Sequence, residues 1–353
     1  MSTHNPVSCT SEGAVKISYN TLISAPLSLT ASIEKAFGSA PDSLGIIVVE
    51  DLPPAFVSYR ERLLKLAYNF AHLDESERER YADVKSRYSF GWSHGKEIMN
   101  DTLKGSYYAN PVIDSPSVAP EMKQASPEYY GENIWPSNDV KPIEGFEQAF
   151  KDLGRLVFKV GCELAEACQP FASAYMTDKS KSLSGLIGSS QTVKARLLHY
   201  FPPSPDVPLP TEDEPVDSWC GFHLDHSLLT GLCSAMYLRN ESTSPPSVVP
   251  SPSAASGLYI KTRGGELTKV SIPPHCLAFQ TGEALELATA GKLRATPHCV
   301  RVGAGQDADR ISRETFALFM QPDTNEQISE TETFGQFSQR IFAEHYQEEN
   351  AQK

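Results

Sequence analysis

The chain has 353 residues, 40% of them hydrophobic and 21% charged, with a formal net charge of −13 at pH 7. This length suits one large domain or two ordinary ones, and the acidic balance makes nucleic acid and anionic membrane poor partners. No apolar run approaches a membrane span and residues 1–13 lack the apolar centre of a signal peptide, so a cytoplasmic protein, monomeric or weakly dimeric, is expected.

The seven cysteines are odd in number and form no C-x-x-C pair, which points to buried, reduced thiols rather than a disulfide framework or a structural zinc. In chain order, Val15–Leu22 alternates like a strand, Ser28–Phe37 reads as a helix closed by Gly38, and Gly45–Glu50 is an apolar strand before a turn at Asp51-Leu52-Pro53-Pro54. A long helix is predicted over Phe56–Leu73, with Leu63, Leu64, Ala67 and Phe70 on its buried stripe. Ser76–Ala82 comes next as a charged helix, with Asp74 and Glu77 spaced as a capping box. A glycine-bearing loop spans Tyr88–Glu97, the proline-rich stretch 109–141 is expected to be irregular, and Gly145–Cys168 repeats at helical spacing.

From about Thr192 the period changes to two. Val193–Phe201, Phe222–Leu238, Gly257–Val270, Cys276–Gln280, Ala284–Ala288, Pro297–Val302 and Glu314–Met320 read as strands. Glu241–Ser256, rich in serine and proline, reads as an exposed, mobile loop, either inert or a lid that closes over the pocket. Gly335–Tyr346 reads as a helix held by Phe337, Ile341 and Phe342. Strands placed after a helical half indicate an α+β chain with an all-β core.

The stretch Trp219–Leu232 carries the chemistry. His223 and Asp225 stand two apart, and on a strand such residues share a face, so an imidazole and a carboxylate converge. That is two thirds of a 2-His-1-carboxylate site for non-haem Fe(II). His-Leu-Asp also occurs at 72–74, so the pair at 223 needs support from residues further along the chain. His298 lies in another strand. Arg313 and Thr315 then share a strand face, where a guanidinium fork beside a hydroxyl suits a carboxylate.

The order His223-x-Asp225, His298, Arg313-x-Thr315 resembles the Fe(II)/2-oxoglutarate-dependent dioxygenases, closest to the isopenicillin N synthase-like branch. Gly45–Glu50, Tyr59–Phe70, Gly91–Glu97, Asn133-Ile134-Trp135-Pro136, Gly257–Ile260 and Gly282-x-x-Leu285-Glu286 resemble that branch's segments in the same order. The resemblance implies a double-stranded β-helix (jelly-roll) core over 191–322, an N-terminal α/β region over 1–190 and a C-terminal helical segment over 323–353, as one integrated unit. It implies that His223, Asp225 and His298 hold Fe(II), that Arg313 and Thr315 clamp 2-oxoglutarate, and that O2 and a small-molecule substrate complete a hydroxylation or desaturation. An oxidase of the same fold that does not use 2-oxoglutarate, and an inactive metal-binding module, are the alternatives.

Three features depart from the family pattern. Arg310-Ile311-Ser312 competes with Arg313 as the clamp. Tyr200 is carried over as a co-substrate ligand, although Phe201 takes the place before proline and Tyr200 is expected to face away unless a bulge re-aims it. Cys299 stands after the second histidine where the family often has Arg, at a position pointing away from iron. His226 is expected to face away from the metal, and Trp92, Tyr107 and Tyr108 are candidates for either pocket or core.

Overall fold

The computed structural model describes residues 7–96, 103–202, 220–241, 245–301, 307–341 and 343. Among these the strands are β1 (Ser8–Cys9), β2 (Val15–Ser18), β3 (Ile46–Glu50), β4 (Gly91–His94), β5 (Lys104–Ala109), β6 (Lys194–Tyr200), β7 (Cys220–His223), β8 (Leu229–Cys233), β9 (Met236–Arg239), β10 (Ser247–Val249), β11 (Gly257–Lys261), β12 (Leu267–Val270), β13 (Leu277–Thr281), β14 (His298–Arg301) and β15 (Ile311–Met320). The larger sheet runs β1-β2-β3-β13-β8-β15-β6-β5-β4, with β9 on β15 and β10 on β9. The smaller runs β12-β11-β14-β7. Among the described strands, β2–β3 is the parallel pair and the rest are antiparallel, giving a mixed α/β molecule built on large antiparallel sheets. No helix among the described residues is long and apolar enough to cross a membrane.

Two cores use the two faces of the larger sheet. On the outer face, Ile47, Val49, Phe279 and Phe316 pack with residues of the helices Ala55–Ala71 and Phe146–Tyr175, among them Leu63, Phe70, Phe150 and Leu153. On the inner face, Ile46, Val48, Leu198, Ala278 and Ala317 meet Leu258, Ile260, Val270 and Val300 of the smaller sheet. Both faces of β3 are therefore buried, which is why its sequence is a continuous apolar run instead of an alternation. On the inner face the small side chains of Ala278 and Ala317 leave room between the sheets.

Several sequence expectations are corrected. Ala284–Ala288 lies in a helix, Glu283–Ala288. Its residues are good helix formers, and Ala284, Leu285 and Ala288 are buried at helical rather than alternating spacing. Phe222–Leu238 is not one strand but parts of β7, β8 and β9, and Gly257–Val270 is a hairpin. Val15–Leu22 turns helical at Tyr19, and β4 occupies part of the glycine-bearing loop. The stretch 109–141 contains two short helices, Pro120–Ala125 and Pro127–Tyr130. The long helix continues past Cys168 to Tyr175, taking in Pro170, which forfeits one hydrogen bond without ending it. Asp74 makes no side-chain cap; Glu77 instead accepts from Arg80 and Tyr81.

The loop Glu241–Ser256 is more ordered than its composition suggests. Ser247–Val249 pairs with β9, Ser253 and Ser256 are buried, and Tyr259 Oη donates to Ala255 O at 2.8 Å. Composition could not reveal this, because backbone pairing supplies the order that few apolar side chains could. At the C-terminus, residues 334–341 are helical with Phe337 buried and Ile341 packed beside it; Phe342 and Tyr346 lie outside the described residues. So do residues 302–306, which include most of the glycine-bearing segment before Arg310.

Candidate metal centre

β7 and β14 are neighbours in the smaller sheet, and His223 pairs directly with His298. Their rings lie 4.2 Å apart, centre to centre. His223 Nδ1 donates to Gly221 O at 2.8 Å and His298 Nδ1 donates to Thr296 O at 2.9 Å. Each backbone carbonyl holds the proton on Nδ1 and leaves Nε2 with its lone pair, the tautomer a metal requires.

Asp225 lies beyond the end of β7, not on it, so the strand-face argument reaches the right residue through the wrong geometry. A turn brings it back: Glu283 N donates to Asp225 O at 2.7 Å and Gly282 N to Leu228 O at 3.2 Å. Gly282 is needed here because a Cβ would meet Ser227 O at 2.2 Å and Asp225 O at 2.7 Å. The result is that Asp225 Oδ1 stands 3.9 Å from both Nε2 atoms, and the three ligand atoms lie within 4.8 Å of one another. One nitrogen–nitrogen–oxygen face of two imidazoles and a carboxylate fits a divalent first-row metal.

Gln280, which no sequence pattern singles out, secures this face. It lies on β13, is fully buried and donates through Nε2 to Asp225 Oδ2 at 2.5 Å; the same nitrogen is 3.2 Å from His298 Nε2. It therefore turns the other carboxylate oxygen toward the histidines. Its one mark in the sequence is a polar residue ending an apolar strand. Burial opposes the charge on Asp225, but His298, His223, Thr230 and Gln280 outweigh it and hold the carboxyl below its usual range.

The centre opens into a cavity of about 240 Å³ between the two sheets. Arg313 and Thr315 line the same cavity, both buried. Arg313 Nε and Nη1 are buried with no hydrogen-bond partner. The Thr315 hydroxyl donates to Cys233 O at 3.1 Å, so it offers a second anion donor only after rotating away, contrary to the simple pairing expected.

Tyr200 faces this cavity without any bulge. The register of β6 against β15 is unbroken from Arg313–Tyr200 to Phe319–Lys194, and directly paired residues share a face. The Arg313 guanidinium lies over the Tyr200 ring, 5.0 Å from its centre. The expectation that Tyr200 faces away is therefore wrong. It is Phe201 that leaves the cavity, stacking on His94 at 4.7 Å.

The remaining candidates separate cleanly. Arg310 and Ser312 line a different cavity, with Tyr68, His72 and Asn240, and the Ser312 hydroxyl donates to Glu314. His226 points toward Glu283, 3.6 Å away. His72 stacks on Tyr68 and bonds its carbonyl. Trp92 and Tyr107 are core residues packed around Phe70, whereas Tyr108 lies beneath Arg196. Cys299 is buried and pairs with Tyr259.

No protein-family model matches the chain, and no curated protein matches it. Solved structures do. A Caulobacter crescentus protein assigned to the 2OG-Fe(II) oxygenase family aligns over 96% of this chain and 100% of its own, with TM-score 0.64 and 20% identity. An oxygenase assignment from Shewanella oneidensis aligns over 94% and 98%, with TM-score 0.62 and 17% identity. A full-length Neurospora crassa protein, solved in complex with alpha-KG and thymine, aligns over 96% and 99%, with TM-score 0.62 and 15% identity. At these identities the likeness is one of fold, and the fold of this chain is that of the 2OG-Fe(II) oxygenases.

Proposed function

We propose that the chain is an Fe(II)- and 2-oxoglutarate-dependent dioxygenase that oxidises a small molecule, by hydroxylation or desaturation, within a double-stranded β-helix formed by the two facing sheets. The observation that carries this reading is Arg313. A guanidinium with two unpaired buried nitrogens is costly unless an anion completes it, and it lines the same cavity as the His223–Asp225–His298 face. A dicarboxylate spanning the two answers both needs, and an oxidase that uses no such co-substrate would leave Arg313 unanswered. Full coverage of oxygenase structures, and a neighbour solved with alpha-KG, support the same reading.

His223, Asp225 and His298 would hold the Fe(II), which would supply O2 activation coupled to decarboxylation of 2-oxoglutarate. The chain's own residues do the rest. Gly221 and Thr296 carbonyls fix the imidazole tautomers, and Gln280 aims Asp225. Arg313 receives the remote carboxylate, with the Tyr200 ring setting the plane of its fork. Leu198, Leu232, Val300 and Phe319 wall the cavity with apolar surface that excludes water.

The test is anaerobic titration of the Fe(II)-loaded protein with 2-oxoglutarate, and then succinate release in air. Arg313→Leu is expected to weaken 2-oxoglutarate by about 2–5 kcal/mol, the range for truncating one member of a buried charged pair. Arg310→Leu, in the other cavity, is expected to leave it unchanged. Equal 2-oxoglutarate affinity in wild type and Arg313→Leu refutes the assignment.

A further inference from the structure

The backbone that borders Arg313 on the side away from Tyr200 is out of step. β8 pairs with β15 from Leu229–Met320 to Leu232–Ala317, and β9 pairs with it from Met236–Glu314 to Arg239–Ile311. Between those blocks Cys233, Ser234 and Ala235 stand opposite Thr315 and Phe316 alone. The extra residue makes a β-bulge, and a shift of one residue exchanges the faces of everything beyond it. Thr230 and Leu232 face the cavity from β8, so an unbroken register would set Met236 opposite Arg313. With the bulge, Met236 and Leu238 turn into the outer core, and Tyr237 pairs with Arg313 and lines the cavity.

Arg60 holds the bulge from behind. It lies on the helix Ala55–Ala71, is 3% exposed, and donates through Nε to Ser234 O and through Nη2 to Ala235 O, each at 2.8 Å. Among the described residues it makes no ion pair, and burial works against its charge. What the arginine secures is the extra residue, whose backbone has no regular place in the ladder. The bulge also redistributes the hydroxyls around Arg313. Thr315, across from it, donates to Cys233 O at 3.1 Å. Tyr237 keeps its own donor, because among the described residues nothing bonds its hydroxyl. Tyr200, Arg313 and Tyr237 form one row across β6, β15 and β9, with directly paired Cβ atoms about 5 Å apart. A carboxylate gripped by the Arg313 fork lies within reach of a phenol on the next strand.

We propose that Tyr237 is a further donor to the remote carboxylate of the co-substrate, and that Arg60 is a positioning residue that acts through Tyr237 by locking the bulge. This deepens the proposed function and rests on it for the identity of the anion. Arg60 does not line the cavity, so its effect passes through the strand. Without the two bonds to Ser234 and Ala235 the bulge loses what fixes it, and the phenol loses its alignment with Arg313.

The experiment titrates the full chain, loaded anaerobically with Fe(II), with two keto acids, followed by calorimetry and by the visible absorbance of the complex. 2-Oxoglutarate carries the remote carboxylate; 2-oxopentanoate has a methyl group in its place. Tyr237→Phe is expected to weaken 2-oxoglutarate by about 10–100-fold, the range for a hydrogen bond to a charged group, and to change 2-oxopentanoate by less than about 2-fold. Arg60→Met is expected to show the same selectivity, and Arg60→Lys to restore most of the loss. The double variant is expected to be no weaker than the worse single one, because the two residues act as a unit. A merely structural role would weaken both keto acids alike. If Arg60→Met does not fold, Arg60→Gln, which keeps a single donor group, is read in its place. A Tyr237→Phe that binds 2-oxoglutarate like wild type, or that weakens both keto acids equally, overturns the proposal. Additive losses in the double variant overturn the part assigned to Arg60. A wild type with no preference for 2-oxoglutarate over 2-oxopentanoate overturns the dioxygenase reading itself, and this proposal with it.

Discussion

Gln280→Leu separates holding a metal ligand from holding the fold. The substitution keeps volume close and removes the donor to Asp225 Oδ2. A hydrogen bond to a charged group contributes about 1.5–3 kcal/mol, and its loss leaves the carboxylate free to swing its second oxygen toward the histidines. The same Gln280 nitrogen also sits 3.2 Å from His298 Nε2, a contact that metal must displace. Removing that competitor returns about 1 kcal/mol to metal binding. The net loss is about 0.5–2 kcal/mol, which is roughly a 2- to 30-fold weaker site. Gln280 Oε1 is buried without a partner, so the variant also removes an unsatisfied acceptor. Loss of two bonds and loss of one orphan roughly offset, and the metal-free melting temperature should change little. Titration with Fe(II) under nitrogen and calorimetry of the metal-free chain give the two numbers. A variant that binds metal as tightly as wild type, or one whose metal-free form is the part that collapses, refutes the positioning role.

Asp225→Ala and His298→Ala should each abolish stoichiometric Fe(II), whereas His72→Ala should retain it; iron content by elemental analysis decides, and a metal-replete Asp225→Ala would sink the triad. Gly282→Ala should weaken metal binding and destabilise the chain by about 2 kcal/mol or more, since its Cβ would sit 2.2 Å from Ser227 O and the turn bearing Asp225 must move; unchanged iron affinity would contradict that coupling. Lys194 is buried, with Nζ bonded to Glu128 O and 4.1 Å from the centre of the Phe90 ring, and burial lowers its pKa to about 7. Because the unfolded lysine titrates near 10.4, the unfolded state binds more protons between those values, and stability rises with pH across that window. Wild type should gain on Lys194→Met by about 1 kcal/mol per pH unit from about pH 7.5 to 9.5. Parallel pH profiles in urea unfolding would show that Lys194 is not the group responsible.

What can be read from sequence is what is local. The spacing of Arg313 and Thr315 is read correctly because both lie on one strand, whereas His223 and Asp225 are brought together by a turn that residues far along the chain hold. The long apolar stripe from Phe146 to Leu164 is legible too, because helical contacts repeat within one turn. The direction of Tyr200 cannot be counted from the proline after it, because it is fixed by the partner strand through Arg313, more than a hundred residues away. Gln280 matters only because β13 passes beneath two other segments, and nothing in its own neighbours signals that. Ala284–Ala288 reads as a strand in sequence because a short apolar run looks the same in a buried helix.

The strands that carry Tyr200 and Arg313 into the cavity also carry, on alternate residues, a buried carboxylate. Behind Tyr200 and Arg313, on the outer face, His199 Nδ1 donates to Glu314 at 2.9 Å, and Ser312 donates to the same carboxylate at 2.7 Å, all within the core. A one-residue slip of β15 exchanges its two faces. It would carry the Glu314 carboxylate into the place of the Arg313 guanidinium over Tyr200, and press that guanidinium into the packing beside Tyr68 and His72. Both moves are strongly unfavourable, so the pair behind the sheet works as a proofreader of strand threading, accepting one alignment and rejecting its neighbours. Laboratory evolution of this chain should therefore tolerate single-residue deletions ahead of Ile311 far better than within Ile311–Met320. There, a deletion would yield misassembled protein rather than an altered enzyme.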